Sequence, residues 1–211
     1  LIRLYEYLKS HTLLHLTGSL STADCQAVTI DAWPDADLAG DKCDSKSTSG
    51  RFIELSNPAT GRSMPLNWKA NKQTSTAHST PEAETVSLDA CIREDCILIQ
   101  DLFHLLLGRA IDVIVHEDNE TTITNVERGY SPKLAYMLRT QRVDIGFLHE
   151  VFHEDCLDDK GKFYLKYAPS KTQKGDLFTK ELTSIQDFQH ATAQIGMKES
   201  RAVTVVTSSK G

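Results

Sequence analysis

The chain has 211 residues, is 40% hydrophobic and carries a formal net charge of −6, so it can bury a sizeable core while its acidic balance argues against an undirected polyanion-binding surface. Its longest nearly apolar stretch, 96–107, is interrupted by Gln100, Asp101 and His104 and is too short to span a bilayer; with no charged-then-apolar leader, a soluble protein with no membrane partner is expected. The five cysteines are odd in number and form no CxxC pair, which points to reduced thiols, with Cys91 and Cys96 expected in a core.

In "LIRLYEYLKS" the residues Leu1, Leu4, Tyr5 and Leu8 recur at helical spacing, so residues 1–20 are read as an N-terminal helical arm. Residues 21–183 are expected to form one domain and 184–211 a terminal helix with a frayed tail. Three short strands, 27–32, 51–55 and 64–68, the last two joined by the turn "NPATGRS", predict an antiparallel meander. Apolar residues then recur at helical intervals from Ser79 to Leu107. "STPE" supplies a Ser79 cap, a proline in the first turn and Glu82 at the capping-box position, and Gly108 ends the helix.

"IDVIVHED", 111–118, reads as a buried strand running into acids, followed by a helical segment over 121–127. A strand reached through a long helix implies a parallel crossover. Residues 133–152 read as helical between Gly129, Pro132 and Gly146, "KFYLKYA" is a last strand, and after Pro169 a basic turn, "SKTQKGD", leads into a short helix, "LFTKEL".

Acids crowd one segment, "DAWPDADLAGDKCDSKSTSG", 31–50. Two like charges about 4 Å apart repel by roughly 4 kcal/mol at an effective dielectric of 20, so such neighbours need solvent, protons or a cation. Taken singly, each acid has an ordinary reading. Aspartate is common in turns, Glu84 at a helix start complements the helix dipole, and Asp118 beside Asn119 suits a helix cap.

Taken in order, the motifs say more. "WPDADLAGDKCDSKSTSGRFIEL" resembles the opening of the ribonuclease H domain at the C-terminal end of copia-type retrotransposon polyproteins. "NWKANKQTSTAHSTPEAETVSLDAC", "VHEDNETTI", "RTQRVDIGFLHE" and "QKGDLFTKEL" resemble that family's later blocks in register. The resemblance covers roughly residues 1–195. It implies an α/β, ribonuclease H-like fold: a mixed five-stranded sheet, three antiparallel strands followed by parallel additions, with helices on its faces.

The resemblance also implies four catalytic, metal-binding carboxylates: Asp35 at the end of the first strand, Glu84 in the first turn of the long helix, Asp118 after the fourth strand and Asp176 before the last helix. Two Mg²⁺ ions, replaceable by Mn²⁺, would serve hydrolysis of the RNA strand of an RNA/DNA hybrid during reverse transcription, because phosphodiester cleavage by a metal pair needs hard oxygen ligands converging from separate elements. An upstream reverse transcriptase domain is the implied partner, and the implied location is cytoplasmic, in a virus-like particle, or nuclear. Lys46, Ser47, Thr48, Lys69, Lys72, Gln73, Thr74, Ser79 and Asn119 are the candidate substrate-binding residues, basic or polar groups suited to phosphate and sugar contacts. Trp33 and Trp68 read as packing residues.

Some positions depart from the family pattern. Gln141 and Arg142 stand for its Lys-His, Gly146 for an Arg, and Gly175 for an Ala, which would cost a helix starting there about 1 kcal/mol. Pro34 removes a ladder donor beside Asp35. These changes motivate a second reading, a catalytically degenerate domain acting as an interaction module. A third reading, a zinc protease, is the remote alternative: "HEVFH" fits H-E-x-x-H, in which His149 and His153 would bind zinc beside a general-base Glu150, with Glu154, Asp155 or Cys156 as third ligand.

Overall fold

The computed structural model describes residues 2–11, 13–40, 43–153 and 159–199. Helix α1 (Ile2–Ser10) leads to a short strand, β1 (Leu14–Leu16). Strands β2 (Thr29–Asp37), β3 (Thr48–Asn57) and β4 (Arg62–Lys72) form the expected antiparallel meander. Next come α2 (Thr80–Cys91), a π-helical turn over Ile92–Cys96, α3 (Ile97–Leu107), β5 (Val113–Glu117) and α4 (Glu120–Arg128). The order ends with α5 (Met137–Thr140), α6 (Ile145–His153), β6 (Phe163–Tyr167), α7 (Ile185–Gln194) and β7 (Met197–Glu199).

The main sheet has the order β4-β3-β2-β5-β6, with β5 parallel to β2 and β6 parallel to β5. This is the mixed five-stranded sheet the resemblance implies. A separate pairing of β1 with β7 ties residues 14–16 to residues 197–199. The core lies between the sheet and its helices: Ile30, Ala32, Ile53, Leu55, Val113 and Val115 from the strands meet Leu88, Cys91, Ile92, Cys96, Val126 and Leu148 from the helices.

Strand β2 is longer than its apolar run, continuing through Trp33-Pro34-Asp35 to Asp37 against β3, with Pro34 opposite Arg51 and Asp35 opposite Gly50. Proline is tolerated there because β5 pairs only with Ile30–Ala32, which leaves β2 a partner on one side alone beyond that point. The open side is closed by a side chain. The buried Gln173 amide donates to Pro34 O (2.9 Å) and to His116 O (3.2 Å), joining the outer ends of β2 and β5, and its own oxygen accepts from Gly175 N at 3.2 Å.

The long helix starts as expected, with Ser79 accepting from the Glu82 amide, and stops at Gly108, whose φ of 63° is the left-handed conformation glycine permits. Between them the π-helical turn breaks the helix into two, with the buried Cys91 and Cys96 sulfurs 3.7 Å apart across it. Glu82 does not reach back to Ser79. Its carboxylate instead accepts from His78 N (2.7 Å), Tyr136 OH (2.7 Å) and Gln141 Nε2 (2.5 Å).

Two helical expectations are corrected. Residues 133–152 form the separate α5 and α6, because Arg142 adopts a φ of 57° that no helix continues through. "LFTKEL" is not a helix. Asp176 lies inside a 3₁₀ turn, Lys174–Phe178, and the terminal helix begins only at Ile185, after the Ser184 cap. The turn is pressed onto β2 so closely that a Cβ on Gly175 would sit 2.7 Å from both Asp35 Cβ and Trp33 O. Glycine at 175 therefore answers to this contact rather than to helix propensity.

The Gln173 amide is the one side chain bridging the open ends of β2 and β5 among the described residues. Gln173→Leu should lower unfolding free energy by about 2 kcal/mol, since it strands buried carbonyl acceptors. Urea denaturation checks this, and a change within about 0.5 kcal/mol would show that the bridge is dispensable.

Candidate metal centre

Asp35 occupies the outer part of β2, and α2 is fixed against it: Ser87 Oγ donates to Asp35 O (2.8 Å) and approaches Gly50 O (3.3 Å). This contact sets Glu84, one turn earlier, over the same end of the sheet. Strand β5 ends there in Glu117, followed by Asp118. Asn119 then caps α4 by accepting from Thr122 N at 3.0 Å, while Asn119 N donates to Glu117 Oε1 at 3.0 Å. Thr122 Oγ1, 3.4 Å from Pro81 O, links α4 to the start of α2. The turn carrying Asp176 lies on top, held by Gln173 from within and by Ser170 Oγ, which donates to Asp118 Oδ2 at 2.6 Å.

The result is one acid cluster. Carboxylate oxygens of Asp35, Asp118 and Asp176 all lie within 4.8 Å of one another, as do those of Glu84, Glu117 and Asp118, so that Asp118 is common to both groups. The four acids singled out in the sequence meet at one place, joined by Glu117, which no motif flagged. The only sequence signal for Glu117 was the strand "IDVIVHED" running into acids. Of the crowd at 31–50, Asp35 alone enters the cluster among the described residues. Asp31 is bonded to His116 (2.6 Å), Ser56 (2.5 Å) and Thr29 (2.8 Å), and Asp44 pairs with Lys72 at 2.8 Å. Asp41 lies outside the described residues.

The electrostatics are unfavourable for five charged carboxylates. Burial, then repulsion from Glu117, Asp35 and Asp118, pushes Glu84 up to about 10. Burial, followed by Asp118 and Asp35, raises Glu117 to about 8 even though the Asn119 amide opposes the shift. Burial also leads in raising Asp35 to about 7, with Asp176 and Asp118 adding to it and Lys180 and Thr179 opposing. Asp176 is raised too, chiefly by burial, against the opposing Lys180.

These residues fit a divalent cation. The buried oxygens Asp35 Oδ1, Glu84 Oε2 and Glu117 Oε2 have no hydrogen-bond partner, although buried carboxylates otherwise find donors. Hard oxygen donors from four separate elements are the ligand type that Mg²⁺ and Mn²⁺ take.

The candidate substrate residues fall at the same end of the sheet, where Thr48 lies between Asp37 and Lys72. Lys46 and Thr48 are half-buried, and Thr74 is exposed. Ser47 is fully buried and its hydroxyl accepts from Ala39 N at 3.2 Å, while the buried Gln73 donates to Ser49 Oγ and Ala83 O, each at 2.9 Å. Lys69 pairs with Glu94 at 3.0 Å, and the oxygens of Ser79 and Asn119 cap their helices. A groove of about 570 Å³ opens between the start of α2, helix α4 and residues 130–134, with Ser79, Thr121, Asn125, Arg128 and Lys133 among its walls. Arg128 and Lys133, which the sequence did not single out, also line this groove. Trp33 packs as expected, stacked on His116 at 3.7 Å, whereas Trp68 is half exposed.

The H-E-x-x-H segment lies on α6. His149 Nδ1 donates to Val126 O (2.9 Å), His153 Nδ1 donates to His149 O (3.1 Å), and the rings stack at 4.3 Å. Among the described residues these histidines belong to no group of three converging ligand atoms. The third-ligand candidates Glu154, Asp155 and Cys156 lie outside the described residues.

The strand order and directions define a ribonuclease H-like α/β fold with an acid cluster at one end of its sheet. No family model matches the chain. Among solved structures it is similar to the N-terminal ribonuclease H domain of a Mycobacterium tuberculosis protein, solved as a fusion with maltose-binding protein. That match has 12% identity, covers 79% of this chain and 98% of the other, and has a TM-score of 0.42. LC11-RNase H1, solved in complex with an RNA/DNA hybrid, matches at 12% identity over 72% of this chain and 94% of that one, with a TM-score of 0.39. The protease-reverse transcriptase of prototype foamy virus matches at 13% identity over 86% of this chain and 22% of that one, with a TM-score of 0.36. No helix among the described residues is long and apolar enough to cross a membrane.

Acids with raised values stabilise the fold while protonated. Their contribution is complete below the unfolded values of 3.8 and 4.5 and is lost as pH rises through about 7, 8 and 10. Metal-free protein held in chelator should therefore melt about 5 °C or more lower at about pH 9 than at about pH 5. Glu84→Gln should flatten the upper part of that decline. A profile that is flat or rises with pH in the unsubstituted protein would contradict the electrostatics described.

Proposed function

We propose that the chain is a divalent-metal-dependent endonuclease that hydrolyses the RNA strand of an RNA/DNA hybrid. One observation carries the reading: five carboxylates from distant parts of the sequence converge as two groups sharing Asp118, with buried oxygens that accept no hydrogen bond. In this reading Asp35, Asp118 and Asp176 hold one ion, and Glu84, Glu117 and Asp118 the other, Mg²⁺ or Mn²⁺ in each case. The bound ions would supply the charge neutralisation and water activation that phosphodiester hydrolysis requires.

The remaining work belongs to the chain. Packing of Ser87 on Asp35 O and of Gln173 across β2 and β5 holds the carboxylates in fixed relation, which is the preorganisation that such a site depends on. Lys46, Thr48, Lys72 and Thr74 at one side, with Arg128 and Lys133 in the groove at the other, offer contacts to a nucleic-acid backbone without reading bases. A hybrid is recognised largely by shape and by its 2′-hydroxyls, which needs little base-edge chemistry. The resemblance to copia-type motifs supports extending this reading to a role within reverse transcription, with a polymerase region as partner.

The test is a labelled RNA/DNA hybrid incubated with Mg²⁺ or Mn²⁺. Asp35→Asn and Glu84→Gln should each lower cleavage by about a thousandfold, and Glu117→Gln by about tenfold or more. Undiminished cleavage in Asp35→Asn and Glu84→Gln would end the reading. Two Mg²⁺ sites and hybrid binding with no turnover in the unsubstituted protein would point to a damaged catalyst, and no metal binding at all to the interaction-module alternative.

A further inference from the structure

A cation already sits in the acid cluster. Lys180 Nζ is 2.6 Å from Asp176 Oδ1 and 3.7 Å from Asp35 Oδ1, and among the described residues it makes the only ion pairs from a lysine or arginine into the five carboxylates. The segment that brings it there is tightly seated. Thr179 donates its hydroxyl to Asp35 Oδ2, and a Cβ on Gly50 would lie 2.5 Å from Thr179 Cγ2, so the close approach of residues 178–179 to β3 needs glycine at 50. Asp176, Thr179 and Lys180 thus address Asp35 from one short stretch of chain.

The position matters more than the pairing. The ammonium bonds to one member of the Asp35–Asp118–Asp176 group and lies within ion-pair distance of the buried Asp35 Oδ1, which has no hydrogen bond, where an ion shared by those three acids would bind. Two cations cannot occupy that space, because they would repel at contact distance in a site partly shielded from water. The lysine can leave without a backbone shift: its side chain is 39% exposed, and a flexible four-carbon stem lets its charge swing to solvent.

Resting on the metal-site reading above, we propose that the Lys180 ammonium is the resident cation of the metal-free cluster, and that a divalent ion enters the Asp35–Asp118–Asp176 half by displacing it. Lys180 is then a positioning residue that sets the affinity of that half. It holds Asp35 and Asp176 together while no metal is bound, and it weakens metal binding by competing for the same oxygens. Glu84 and Glu117, which make no ion pair with it, belong to the half it affects less.

Mn²⁺ binding to the full chain, followed by the electron paramagnetic resonance signal of the free ion, tests this without any measurement of activity. Lys180→Met and Lys180→Gln should each tighten one of two Mn²⁺ sites by about tenfold, from loss of a competing charge at contact distance. Lys198→Met, which removes a charge from an exposed lysine on β7 in the separate two-stranded pairing, should leave both sites unchanged. The same Lys180 variants should melt at lower temperature than the unsubstituted chain in chelator and match or exceed it in saturating Mn²⁺. Unchanged or weaker Mn²⁺ binding in both Lys180 variants overturns the displacement, with the metal-site reading intact if the unsubstituted chain still binds two ions. An unsubstituted chain that binds no Mn²⁺ overturns both.

Discussion

Repulsion among five carboxylates gathered at one end of a sheet is the constraint around which this molecule is arranged. A single like-charged pair at contact distance disfavours the folded state by several kcal/mol at a protein-like dielectric, and here burial adds to it, as the raised values of Asp35, Glu84 and Glu117 show. No such cluster persists unless the scaffold holds it. Ser87 fastens α2 to β2, Gln173 fastens the final turn across β2 and β5, and Ser170 fastens it to Asp118. The remaining imbalance is met by protons and by Lys180, both of which the proposed divalent ions would displace.

Much of the scaffold was legible from residue patterns. The meander followed from short β-rich runs separated by turn residues, the long helix from its Ser79 cap and Gly108 stop, and the parallel crossover from a strand following a helix. The acids were legible as an ordered series rather than singly. What the patterns missed depends on contacts between distant segments. The continuation of β2 through Pro34 requires that its pairing with β5 stop at Ala32, and the 3₁₀ turn at Asp176 requires the close seat of Gly175 on β2. The break at Arg142 requires a left-handed residue that few would assign to arginine. Glu117 and Lys180 enter the cluster only because strand ends and turns meet there.

The departures from the copia-type pattern that the sequence resembles look different in three dimensions. Gln141 donates to the buried Glu82, which Tyr136 also contacts, so an uncharged amide closes a polar network beside the start of α2. Gly175 relieves a collision with Asp35 and Trp33. Pro34 lies where β2 lacks a second neighbour, and its carbonyl serves Gln173. These three positions, which read as damage along the chain, each have a local partner that accommodates them, and none of them removes a carboxylate from the cluster.

The account depends on the cluster being a cradle for cations. Anomalous diffraction from crystals of the chain grown with Mn²⁺ tests that claim most directly. The expected result is two peaks, one among Asp35, Asp118 and Asp176 and one among Glu84, Glu117 and Asp118, with the Lys180 ammonium swung away from the first. A map without anomalous density at these carboxylates, from crystals saturated with the ion, would contradict it.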